Sequence, residues 1–235
     1  MAGIGIKLNK FFDKGTVTGY LAGSGYSVVT TIAPMLLVIA DILAMQKILG
    51  YSDAAYGSRQ LFQATILYIF VFALLASAPL NAVLSRYVSD VIFNETYSDI
   101  MAAFHLGLWI SMAIDAIMVV PFAIHEYIVG GVDIVYVVTS VCCFIALSLV
   151  FYTMLYLSLC KDYGKISLFY FIGMAITLGI SYIFVNKFNM EITYSMLLAM
   201  TIGFIIIASL GYALLRQYFT QNSKNYKDVL QYLVR

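Results

Sequence analysis

Apolar residues in this chain gather into six long runs separated by short polar breaks: Ala22–Leu49, Leu61–Ala82, Met101–Ile124, Val132–Cys160, Ile166–Val185 and Ile192–Leu215. Each meets the roughly 20 residues that a helix needs to cross the hydrocarbon core of a bilayer. The pattern predicts an all-α integral membrane protein. A six-transmembrane-helix bundle is expected over residues 22–216, after a leader at 1–21 and before a closing segment at 217–235.

Both flanking segments are amphipathic. Ile4, Leu8, Phe11 and Phe12 fall on one helical face, with Lys7, Lys10 and Lys14 elsewhere, a pattern that suits a helix lying in the membrane interface. A short solvated leader fits it equally. No cleavable signal peptide precedes the first run, so the first retained helix is expected to lead insertion. At the other end Tyr226, Val229, Leu230, Leu233 and Val234 repeat at helical spacing beside Lys224, Lys227 and Asp228. That pattern still runs at Arg235 without a capping signal, so the chain reads as interrupted there.

Composition agrees with a lipid solvent. Hydrophobic residues make up 63% of the chain and charged residues 11%, against roughly 45–50% and 25% in soluble domains. The mean hydropathy is +0.93. A net charge of +1 gives no bias toward nucleic acid. Cys142, Cys143 and Cys160 lie in one apolar stretch without metal-ligand spacing, and are expected to be buried packing thiols.

The basic residues orient the bundle. With six spans both termini share a side, and that side holds Lys7, Lys10, Lys14, Arg86, Lys161, Lys165, Arg216, Lys224, Lys227 and Arg235. The opposite side holds Lys47, Arg59 and Lys187. The positive-inside rule therefore places both termini in the cytoplasm. The loop between the third and fourth spans, with Glu126 and Asp133 and no basic residue, then faces outward.

A few polar residues sit where lipid should exclude them. Asp41 lies within the first span, and such an acid costs roughly 2.5–3.5 kcal/mol at a helix centre. Thr30, Pro34 and Asp41 share one helical face. Pro34 frees a backbone carbonyl that the Thr30 hydroxyl can help to satisfy. One reading is a kinked helix lining a polar cavity, with Asp41 contacting a cation, a proton or a hydroxyl-rich substrate. The other is an acid near the outer interface that reaches water.

Asp115, one turn after Ser111 in the third span, could pair with a donor on another helix or line the same cavity. His105 and His125 near the edges of that span read as structural or interfacial. The second span holds Pro79 and Asn81 and runs into Arg86, Tyr87 and Asp90; the four-residue spacing allows an Arg86–Asp90 ion pair at the cytoplasmic rim. No metal, nucleotide or nucleophile motif is present, so neither an enzyme nor a cofactor is expected.

The opening Met1-Ala2-Gly3-Ile4-Gly5 and its basic-apolar sequel, Gly25-Tyr26, Ala33-Pro34, Ser85-Arg86-Tyr87-Val88-Ser89-Asp90 and Ile92-Phe93-Asn94-Glu95 together resemble the Pel exopolysaccharide transporter family. The segment Tyr226–Leu233 resembles the approach to that family's second half. The resemblance implies a MATE-like flippase of about twelve helices in two lobes, worked by alternating access, of which this chain would be the N-terminal lobe. It implies export of a cationic, hexosamine-rich biofilm polysaccharide across the inner membrane. The implied partners are a cytoplasmic glycosyltransferase and Pel-type membrane subunits, one of which senses cyclic di-GMP.

This sequence departs from the family in reading Ala33-Pro34 where Gly-Pro is usual, and Asp41 and Asp115 match no family motif. Two other functions fit the same residues. One is an ion-coupled small-molecule extruder, the other a non-transporting scaffold for a polysaccharide synthase.

Overall fold

The computed structural model describes residues 17–94, 98–159, 163–219, 226 and 229–230, with side-chain surroundings from Ile32 onward. The leader's amphipathic face, the Thr30 side chain, Cys160 and most of the 217–235 segment lie outside the described residues. Six helices follow one another: α1 (Val17–Ile48), α2 (Tyr56–Phe93), α3 (Asp99–Ile128), α4 (Ile134–Leu159), α5 (Tyr163–Phe188) and α6 (Ile192–Tyr218). A 3₁₀ turn at Tyr51–Asp53 joins α1 to α2. There is no strand among the described residues. Helices α2 to α6 are each long and apolar enough to cross a membrane.

Helix ends and apolar-run ends differ for a physical reason. Hydropathy marks the part of a helix that lipid can solvate, whereas backbone hydrogen bonding continues into water. The run Leu61–Ala82 is the middle of a 38-residue helix, α2, about 57 Å long at 1.5 Å per residue, against a hydrocarbon core of about 30 Å. Its last turns, with Arg86 and Asp90, extend beyond the apolar stretch. The run starting at Val132 yields a helix only from Ile134, because Asp133 stops the chain there. Its Oδ2 accepts the Val135 amide at 3.2 Å, a local N-terminal cap.

The three turns on the side assigned outward each use a left-handed residue: Gly50 (φ 66°), Gly131 (φ 63°) and Asn189 (φ 50°). Glycine and asparagine tolerate this region, which lets the helices reverse within a few residues.

The packing is not in chain order. α6 sits between α4 and α5, α2 and α3 both lie on α4, and α1 docks chiefly on α5. The core is the seam of α4 with α6, where Cys143, Val150, Met196, Leu197, Met200 and Phe204 are fully enclosed. At the α5–α6 contact Gly173 and Gly203 let the backbones meet. A Cβ at either would lie 3.1–3.2 Å from the other's carbonyl oxygen and would strike Ile207 or Thr177. Small residues at such crossings replace the hydrophobic drive that lipid cannot supply. Outward faces are apolar, including Met35, Leu36, Leu67, Leu75, Trp109 and Ile117.

Cys143 is buried as expected, but Cys142 is exposed. Neighbouring residues on a helix point about 100° apart, so α4 can turn only one of them into the seam. All three prolines fall inside helices, Pro34 in α1, Pro79 in α2 and Pro121 in α3. The helices of the central seam have none.

Candidate functional site

Hydroxyl-bearing residues in the helices largely satisfy themselves. Thr139, Ser140, Thr153, Thr177 and Thr201 each donate to the carbonyl four residues back, at 2.7–3.0 Å. Carboxylates have no such recourse, since they only accept and the helix offers no free amide in mid-span. The acids are therefore where protein and bilayer leave polarity unmatched.

Asp41 belongs to the stripe of α1 that turns inward, with Val38, Met45 and Leu49 at helical spacing. Pro34, seven residues earlier, is half-buried on α1. The opposite face, with Ile32, Leu36, Ile39 and Leu43, is exposed and apolar. Asp41 is 3% exposed, and neither carboxylate oxygen has a donor within hydrogen-bonding distance among the described residues. It lies seven residues, or about 10 Å, from the end of its helix. An enclosed carboxyl with no donor is costly.

Asp115 is enclosed between other helices. It closes the buried face of α3, which runs through Phe104, Gly107 and Ser111. Its Oδ1 accepts the Ser148 hydroxyl of α4 at 2.9 Å, and its Oδ2 has no protein donor. Ser148 thus turns across to α3 rather than back onto its own helix. On α2, Asn81 is half-buried, and its Oδ1 is likewise enclosed without a donor.

These residues do not form one constellation. α1 docks on α5, whereas α3 rests on α2 and α4. Asp41 and Asp115 therefore occupy separate interfaces. At the end of α2, Tyr87 is buried with Leu84, Val88 and Val91, while Arg86 and Asp90 are exposed. Among the described residues, no ion pair joins Arg86 to Asp90. His105 meets the Tyr212 hydroxyl at 3.2 Å and links α3 to α6.

A cavity of about 380 Å³ is lined by none of the acids in mid-span. It lies between α2, α3 and α4, walled by Tyr68, Phe72, Phe122 and Phe144, with Glu126 and Val132 toward its loop end. A second hollow of about 320 Å³ adjoins it through Leu61, Val132 and Tyr136, and holds Asp133, Glu191 and Tyr194. The Tyr194 hydroxyl donates to Asp133 Oδ2 at 2.6 Å. That bond, ahead of the backbone amides, holds the Asp133 carboxyl below the usual carboxylate range. The sequence hinted at these walls through four-residue spacing, Tyr68 with Phe72 and Phe122 with Glu126. Among 19 tyrosines and 16 phenylalanines that spacing did not stand out.

A bundle of span-length apolar helices with acids inside suits passage through or anchorage in a membrane. The family model described as PelG, "Putative exopolysaccharide Exporter (EPS-E)", matches residues 1–235. The chain belongs to the PelG family. No curated protein and no solved structure matches it. PelG is an export family rather than an enzyme family. Membership therefore accords with a multi-pass helical chain whose unmatched groups are isolated acids.

Proposed function

We propose that this chain forms a lobe of an alternating-access transporter that moves an exopolysaccharide across the cytoplasmic membrane, with all six helices spanning and both termini inside. The observation that carries the reading is the match to the PelG exporter family along the whole sequence, on a bundle with five span-length apolar helices. The loop charges support the orientation. A MATE-like two-lobe arrangement, with a cytoplasmic glycosyltransferase and Pel-type membrane subunits as partners, completes the proposal.

In this reading Asp41 and Asp115 are reserved groups. Each keeps at least one oxygen without a protein donor, so each can accept a hydroxyl or ammonium of the passing polymer. Asn81 can act likewise, and the exposed Arg86 and Asp90 lie at the cytoplasmic rim near Tyr87. Pro34, seven residues before Asp41 on the same helix, shapes the approach to it. The test is secretion from cells whose own copy is replaced by Asp41→Asn, Asp115→Asn or both, with membrane abundance held equal. Export should fall while polymer synthesis continues. Normal export by the double variant would remove the acids from the mechanism.

The unpartnered Asp41 also fits an ion-coupled small-molecule extruder. Efflux that stops when the proton or sodium gradient is collapsed, with polymer secretion intact, would favour that alternative. A chain that binds a synthase but moves no substrate in liposomes would instead be a scaffold.

A further inference from the structure

We propose that the cavity between α2, α3 and α4 holds one acyl chain of a phospholipid whose headgroup ends in a primary ammonium, with the ammonium seated at Glu126. The cavity runs along α2 from Leu61 to Phe72, eleven residues and so about 17 Å. That is close to half of the roughly 30 Å hydrocarbon core, the reach of one leaflet. Its inner end stops one turn short of the Asp115–Ser148 pair, because Met118 and Phe144 line it three and four residues away along α3 and α4.

The lining favours a hydrocarbon chain over a sugar. Below Glu126 the polar side chains are Thr65, Tyr68, Tyr136 and Ser140. Three of these are already engaged: Tyr136 donates to the Thr65 hydroxyl at 3.2 Å, and Ser140 donates to the Tyr136 carbonyl at 2.8 Å. Sugar hydroxyls placed there would lose water and gain little. A methylene chain loses nothing, and apolar pockets of this size commonly hold such ligands.

The mouth has the opposite character. Glu126 stands there, and Asp133 and Glu191 line the adjoining hollow. No Lys or Arg lines either space among the described residues. His125 Nδ1 meets Glu126 Oε1 at 3.4 Å, which leaves Oε2 for a ligand. Charge complementarity therefore selects the ammonium end of a headgroup, and a primary ammonium can also donate an N–H to Oε2, which a quaternary one cannot. The way in lies between Tyr68 of α2 and Phe122 of α3, which are both exposed and whose rings touch edge to face at 6.0 Å. The leaflet is the outer one in the proposed orientation, but the site itself does not depend on what is exported.

The full chain, purified in detergent and exchanged into equal phosphatidylethanolamine, phosphatidylglycerol and phosphatidylcholine, is examined by native mass spectrometry. One phosphatidylethanolamine should remain bound. Ala123→Trp, which fills the cavity, should abolish retention, whereas Ile117→Trp on the outward face should not. Glu126→Gln should keep a lipid but cut the ethanolamine preference by about three- to fivefold, the most that a half-exposed ion pair supplies. If Ala123→Trp fails to fold, Ala64→Phe fills the same space. Equal retention in the filled and outward variants, or an unchanged preference in Glu126→Gln, overturns the assignment. Displacement of the lipid by a glucosamine oligomer would also overturn it and would give the cavity to the transport path.

Discussion

Replacing Asp41 by leucine should make this protein more stable and less able to export. The two side chains have the same number and branching of heavy atoms, so the exchange opens no cavity; because the methyls are bulkier than the carboxyl oxygens, the smaller Asp41→Val is measured beside it to separate overpacking. In the folded chain the carboxyl is 3% exposed and has no donor at either oxygen among the described residues. A buried polar group left unsatisfied costs about 1–3 kcal/mol, and exchange of buried ionisable groups for apolar ones of similar shape often stabilises by a comparable amount. At about 2–4 °C per kcal/mol for a chain of this length, the midpoint of thermal unfolding should rise by about 2–12 °C. The measurement is far-UV circular dichroism of wild type and Asp41→Leu in one detergent, paired with polymer secretion at matched membrane abundance. A lower midpoint in both variants would refute the reasoning, since it would mean that the carboxyl is served in the folded state. A higher midpoint with undiminished export would leave Asp41 without a role in transport.

Ser148→Ala should destabilise by about 1–2 kcal/mol by stripping Asp115 of its donor. A double cycle with Asp115→Leu should show that loss largely disappear, as thermal midpoints will register. Gly107→Ala should also lower the midpoint, because its new methyl would meet the Tyr152 hydroxyl and Leu84. Tyr152→Phe should relieve part of that loss, although on its own it gives up the 2.7 Å bond to the Phe104 carbonyl. Tyr194→Phe should flatten the acid limb of the stability profile. The Asp133 carboxyl is held low by Tyr194, so its contribution is full above its unfolded value, near 4, and is lost as pH falls through the lower folded one. Unfolding midpoints across the acid range would check this.

Much of the architecture is legible in hydropathy because a lipid solvent demands long apolar helices and tolerates little else. The positions of Asp41 and Asp115 were equally plain, since an acid inside an apolar run stands out against its neighbours. Their surroundings were not. Ser148 lies 33 residues from Asp115, and nothing local distinguishes it from Ser140 or Thr139, whose hydroxyls turn back onto their own helix. Nor does any local signal say that α1 docks on α5 rather than on α2, because apolar faces of similar composition are interchangeable until their shapes meet. The shared face of Thr30, Pro34 and Asp41 is a matter of period alone; the separation of Asp41 from Asp115 is a matter of which helices pair.

That separation bears on how such a bundle could work. The seam of α4 and α6 is dense and free of proline, and it carries the most enclosed side chains. The two mid-span acids lie on neither of these helices. Each is on an outlying, proline-bearing helix, α1 or α3, and each faces inward from it. Movement of α1 against α5 would change what Asp41 meets without disturbing the seam. Movement of α3 against α4 must first break the 2.9 Å bond from Ser148. The two acids are thus unequal: Asp41 is held by packing alone, whereas Asp115 is latched. In the proposed alternating-access cycle, rearrangement around Asp41 therefore costs no hydrogen bond to a described residue, whereas rearrangement around Asp115 costs the one from Ser148.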